Sequence, residues 1–183
     1  MKVSDIPFNM QTNFNSAYHE QPVDIDEMIK GVDFLISKIE SERDQLSLAI
    51  LHTLAGHFLR VLSRSQDAFK HFKIAYKFYH DADDKIREID LIYRMAVVHY
   101  YENEYSKCDN LFLKVLDLSS KYPHHSYDKF LHNVYFYLGL SKKSQGSQSM
   151  ADGYFSKCLE ARIVKGNIAL INQCQELIKS IHL

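Results

Sequence analysis

The stretch NVYFYLGLSKKSQGSQSMADGYFSKC, residues 133–158 of the 183-residue chain, sets Gly139 twelve positions before Ala151. Phe155 and Cys158 follow that alanine at four and seven. The same spacing joins Gly56 to Ala68, Phe72 and Ala75, and Ala96 to Cys108, Phe112 and Val115. A small residue on one helix lets a second, antiparallel helix approach, and an aromatic one turn beyond the next small residue fills the gap beside it. Three copies of this interlock read as an internal repeat of a helix pair. Ser63, Asn103 and Gly146 mark the turn inside each pair. Asn and Gly accept the left-handed backbone that ends a helix, whereas serine is a weaker candidate for it.

These units resemble the tetratricopeptide repeat, whose pattern runs from a large residue through Leu-Gly and an aromatic to Ala, Phe, Ala and a closing Pro. The third unit matches it through Tyr135, Leu138, Gly139, Gly146, Ala151 and Phe155. The closing proline is missing from all three, Pro123 standing only near the end of the second. Leu59, His99 and Lys142 occupy places where that family prefers an aromatic. The resemblance covers about residues 49–165 and implies an all-α, right-handed superhelical stack of antiparallel helix pairs. Gly56 and Ala96 are 40 residues apart and Ala96 and Gly139 are 43, against about 34 for the minimal unit. Longer repeats of this kind are similar to those of scaffold proteins and of the peptide-sensing regulators of Gram-positive bacteria.

Composition agrees with one helical domain. At 183 residues the chain can bury a continuous core without disulfides or metals. Its 22 basic and 23 acidic residues give a net charge of -1, which offers no basic surface for nucleic acid. No run of about 18 apolar residues can span a bilayer, and the polar N-terminus has no signal-peptide core, so a cytoplasmic location is expected. Cys108, Cys158 and Cys174 form no CxxC pair, and two of them fall on small-residue repeat positions, as buried free thiols would.

Along the chain, residues 1–23 lack helical periodicity and are expected to be flexible or draped on the body. Asp24 or Asp26 caps an extra helix over 24–43, whose apolar residues recur at three and four. Repeat units follow over 46–82, 85–122 and 127–165, their helices at about 46–62 and 66–80, 85–102 and 105–121, and 127–144 and 147–164. Gly166 stops the last of these, and Asn167 caps a helix over 167–182 with Ile168, Ile171, Cys174, Ile178 and Ile181 on one face. That helix either covers the open end of the stack or offers a homodimer surface through Leu170 and Leu177.

Function in such a stack usually resides in the concave groove lined by the first helix of each pair. Beside the packing stripe, helical spacing selects Ile50, Thr53, His57, Arg60 and Val61 from the first unit. The second contributes Asp90, Tyr93, Val97, Tyr100 and Tyr101, and the third Asn133, Phe136, Leu140, Lys143 and Ser144. Aromatics mixed with dispersed polar groups and the cations Arg60, Lys143 and Arg94 suit an extended or helical peptide. The tyrosines serve equally well as packing aromatics with wet hydroxyls, and Arg60 and Lys143 as solvated charges at helix ends. A known groove type in this family clamps a partner's C-terminal carboxylate with paired Lys and Asn. Here Thr53, His57, Tyr93 and Val97 stand in those places, which argues against it.

Catalysis finds little support. His52 and His57 diverge on a helix and no HExxH motif is present, so neither metal nor cofactor is expected. The acidic loop around Asp81, Asp83 and Asp84 lacks the glycine and distal glutamate of a calcium loop. Cys108 and His99 have no third group to orient the histidine. There is no Gly-rich phosphate loop and no GxSxG turn. The expectation is a non-catalytic, protein- or peptide-binding adaptor. The alternative is a signal-responsive regulator whose curvature changes when a short peptide enters the groove.

Overall fold

A computed structural model describes residues 1–16, 18–166 and 168–179. After a 3-10 turn at Val3–Asp5 come β1 (Thr12–Phe14) and β2 (Glu20–Pro22), then α1 (Ile25–Ser41), α2 (Gln45–Val61), α3 (Ser65–Asp81), α4 (Lys85–Tyr101) and α5 (Tyr105–Lys121). A second 3-10 turn at His125–Lys129 leads to α6 (Leu131–Ser144), α7 (Gln148–Lys165) and α8 (Ile168–Lys179). Consecutive helices pack on one another, most extensively as α2 with α3, α6 with α7 and α4 with α5. The molecule is an all-α stack of helix pairs with a small β-hairpin added at its N-terminal end.

The interlock has the geometry its spacing requires. Ala68, Phe72, Ala75, Ala96, Cys108, Phe112, Val115, Ala151, Phe155 and Cys158 are all 0% exposed. A Cβ placed on Gly56 would lie 2.6 Å from the ring of Phe72, and one on Gly139 would lie 2.5 Å from that of Phe155. Each glycine is therefore a socket for the ring of the next helix. Each buried phenylalanine contributes on the order of 1.5–3 kcal/mol through the apolar surface it withdraws from water.

The turns inside the pairs share one conformation. Ser63, Asn103 and Gly146 all have positive φ, at 58°, 57° and 74°. The N–H that follows each of them reaches back to a carbonyl in the last helical turn: Arg64 to Leu59, Glu104 to His99, and Ser147 to Lys142. These bonds satisfy carbonyls that a helix end leaves open, and this lets Ser63 take a backbone that serine seldom adopts. Asp83, at φ 54°, repeats the arrangement between α3 and α4, where the sequence shows no glycine. Asp24, Asp44 and Asp84 each accept a backbone N–H in the first turn of α1, α2 and α4.

α6 begins at Leu131 rather than near 127. Phe130, at φ -130° and ψ -16°, departs from helical geometry, while Tyr127 and Phe130 bury their rings between the second and third units. Asp109 on α5 ties those units together. It accepts hydrogen bonds from Ser141 Oγ at 2.7 Å, Lys142 Nζ at 2.6 Å and Gln145 Nε2 at 2.9 Å.

At the C-terminal end α8 packs on α7 around the buried Arg162. Its Nη1 donates to the Leu170 carbonyl and to Gln173 Oε1, and its guanidinium lies 4.6 Å from the centre of the Phe136 ring. Cys174 lies 3.0 Å from Cys158. The hydrogen bond shared with Cys158 lowers the Cys174 thiol pKa to about 7 against the pull of burial, and Arg162 adds to that lowering. The expected cap Asn167 and the stripe residue Ile181 lie outside the described residues.

The N-terminal residues fold onto the body. Ile6 and Met10 are buried against α1, where the missing side chain of Gly31 makes room for the Met10 thioether. β1 and β2 pair antiparallel with Phe14 opposite Glu20. No helix among the described residues is long and apolar enough to cross a membrane.

Candidate functional site: a concave cavity under the N-terminal hairpin

The first helices of the three pairs, α2, α4 and α6, face a common cavity of about 480 Å³. Among the residues expected in the groove, His57, Arg60, Asp90, Tyr93 and Asn133 line it, together with Arg94 and Val97. Ile86, Arg87, Ser126, Lys129, Phe130 and Tyr137 complete the wall, with Glu20 reaching in from β2. Thr53 and Ile50 sit in a smaller depression beside it, of about 170 Å³, shared with Tyr79 and Asp90. The Thr53 hydroxyl donates to the Ala49 carbonyl one turn back.

Other expected groove residues turn inward. Tyr100, Phe136 and Leu140 are 6%, 4% and 6% exposed. Tyr100 packs among Tyr101, Tyr105 and Tyr137, and Phe136 lies between Tyr137 and Phe155. The one-stripe offset used to choose them overlooks rings supplied by other elements, Tyr105 and Tyr137 against Tyr100 and Tyr18 and Phe155 against Phe136, which cover these positions. Lys143 lies near the end of α6, half-buried and outside the lining of the main cavity.

Arg60 governs the electrostatics of the cavity. Its guanidinium is buried, stacks 4.8 Å from the centre of the Tyr101 ring, and pairs through Nη2 with the Glu20 carboxylate. Nη2 also approaches His57 Nδ1 at 3.2 Å, while Nη1 is buried without a hydrogen-bond partner. Burial acts against its charge, and Tyr101 and Glu20 outweigh that effect and keep it protonated. Burial first, then Arg60 and Arg94, hold the His57 pKa well below its ordinary value, so this imidazole is a neutral acceptor. Arg94 donates to Asp90 at 2.7 Å. Burial raises the Tyr93 hydroxyl pKa, and its ring stacks on Phe130 with centroids 5.0 Å apart.

The sequence reading missed Glu20 and its neighbours. His19 stacks on Tyr101 at 4.1 Å and meets Tyr100 edge-on at 5.4 Å, and Tyr18 meets Phe136 edge-on at 5.3 Å. The Glu20 N–H donates to the Tyr101 hydroxyl at 2.6 Å. Strands of three residues leave no periodic trace, so only the histidine and glutamate inside an otherwise uncharged segment hinted at a role.

Among the described residues no group of three or more His, Cys, Asp or Glu side chains could hold a metal ion. His52 and His71 approach through their Nδ1 atoms at 2.8 Å on the other side of α2.

No family model matches the chain, and no curated protein matches it. Solved structures do. Aspartyl phosphate phosphatase F from Bacillus subtilis superimposes with a TM-score of 0.72 at 16% identity, over 84% of this chain and 40% of that one. BtubC (BKLC) from P. vanneervenii gives 0.70 at 13% identity, over 85% of this chain and 65% of its own. A putative kinesin light chain from Podosopora anserina with nearly identical TPR-like repeats gives 0.58 at 10% identity, over 86% and 88%. The fold is a tetratricopeptide-type helical repeat. The chain spans 65% of the length of BtubC and 40% of that of the phosphatase, so the tetratricopeptide-type stack here corresponds to part of each.

Proposed function

We propose that this chain is a non-catalytic binding module that holds a protein or peptide in the concave groove of its tetratricopeptide-type stack. The observation that supports this reading most directly is the cavity of about 480 Å³ formed by α2, α4 and α6, in which a buried arginine keeps an unused donor. Helix-terminal turns fix the spacing of these three helices, so their facing side chains form a preformed surface. A preformed surface loses little conformational entropy on binding. Tyr93, Asn133 and Asp90 supply the rigid ring and dispersed polar groups that peptide recognition uses.

The test is position-specific photocrosslinking in native cell extract. A photoreactive residue replaces Lys129, which lines the cavity, or Lys73, which is exposed on α3. The reading expects a discrete adduct from position 129 and none from 73. Identical patterns at both positions, or no adduct at 129, would reject it.

A further inference from the structure

Tyr18, His19 and Glu20 touch four of the side chains that the repeat spacing assigned to the groove. Tyr18 lies on Phe136 of α6, His19 on Tyr100 and Tyr101 of α4, and Glu20 on Arg60 of α2. Three consecutive residues thus contact the first helix of every unit, as a bound peptide would, with Tyr18 in a turn. Tyr18 achieves this at φ 59°, a backbone region costly for an aromatic residue. The Asn15 side chain holds that turn by accepting the His19 N–H at 3.0 Å.

The charges in the cavity favour an anion. Arg60, Arg87, Arg94 and Lys129 line it against Glu20 and Asp90, and Asp84 at the rim engages Arg87. Glu20 uses only Nη2 of Arg60, and Nη1 is left buried and unpaired. A guanidinium binds a carboxylate best through two parallel N–H donors, so the resident carboxylate leaves part of this site unfilled. His57, being neutral, adds no positive charge of its own and accepts from Arg60 Nη2 through Nδ1.

We propose that the groove accepts an acidic peptide with an aromatic residue just before its carboxylate, and that Tyr18-His19-Glu20 is a built-in surrogate which this peptide displaces. The proposal rests on the peptide-binding reading of the groove. The incoming carboxylate takes Arg60 with both Nη atoms, and its ring takes the face of Tyr101 that His19 now covers. The tethered hairpin competes at high effective concentration, so it sets a threshold that a weak ligand fails to cross.

The probe is a fluorescein-labelled synthetic peptide copying residues 11–23, titrated against the full chain by fluorescence anisotropy. The Tyr18→Ala/Glu20→Ala variant, which weakens the tethered occupant, is expected to bind it at least tenfold more tightly than the wild-type chain. Replacing the peptide's glutamate by glutamine is expected to lower affinity for that variant about tenfold. Adding Arg60→Met to the variant should abolish binding, with circular dichroism confirming the fold. Equal affinity of the wild-type and double-variant chains, indifference to the glutamine peptide, or no binding to either chain overturns the proposal. If crosslinking at position 129 still captures a partner, the surrogate idea falls and the binding module stands. If that crosslinking also fails, both fall.

Discussion

Adding one methyl group should have opposite effects at two glycines of the third unit. At Gly139 a Cβ would sit 2.5 and 2.6 Å from Cε1 and Cδ1 of Phe155, whose ring is fully buried. Ordinary carbon contacts lie near ~3.7 Å, so the ring or the helix must retreat by more than about 1 Å. Overpacking of a closed core costs about 1–3 kcal/mol, and a displacement this large in a fully enclosed ring belongs at the upper end. Alanine recovers about 1 kcal/mol through its greater helix propensity, leaving Gly139→Ala about 2 kcal/mol less stable. In a chain of this size that lowers the melting temperature by about 4–8 °C. Gly153, on the exposed side of α7, has nothing within 4 Å of its would-be Cβ. There the same change removes only backbone freedom and should stabilise by about 0.5–1 kcal/mol. Differential scanning calorimetry of the two variants, with Gly139→Ala/Phe155→Leu as a third, measures the sign and the coupling. A Gly139→Ala protein as stable as wild type, or a third variant with no relief, would refute the socket argument.

Other substitutions test the rest of the stack. Phe112→Ala removes a fully buried ring from the second unit and should cost about 3–5 kcal/mol in urea denaturation. Asp109→Ala strips the acceptor from Ser141, Lys142 and Gln145 and should cost about 3 kcal/mol, with Asp109→Asn milder because the amide keeps an acceptor. Burial, then Lys165 and Arg162, lowers the His132 pKa to about 4 from an ordinary 6.5. The unfolded chain therefore takes up a proton that the folded one refuses, so this residue's contribution to stability is lost as pH falls from 6.5 toward 4. Between pH 7 and pH 5 the loss is about 2 kcal/mol, and His132→Leu should flatten that part of the pH profile.

The repeat was legible because it is written in residue size, and size at fixed spacing survives translation into packing. Gly56 with Phe72, Ala96 with Phe112 and Gly139 with Phe155 needed no knowledge of distant contacts. The left-handed turns were half legible. Asn103 and Gly146 carry the usual chemistry, whereas Ser63 and Asp83 are held by hydrogen bonds back into the preceding helix that no single residue announces. The site was less legible still. Spacing selected the helices that face the cavity, and it brought His57, Arg60, Asp90, Tyr93 and Asn133 together. It did not separate open wall from helix junction, because the burial of Tyr100 and Phe136 depends on rings brought in by other elements, Tyr105, Tyr137, Tyr18 and Phe155. Glu20 could be singled out as an isolated charge but not placed, since its partner Arg60 is forty residues away and the strand that delivers it has three residues.

α4 turns opposite sides to two separate clusters of buried side chains. Leu91 and Val98 belong to the one built on α1 to α3, and Ile89, Ile92, Ala96 and Val97 to the one that continues through α8. One helix is thus the common wall of both clusters. Loss of either cluster strips a wall from its neighbour, so a core substitution in one half is expected to lower the stability of the other through α4.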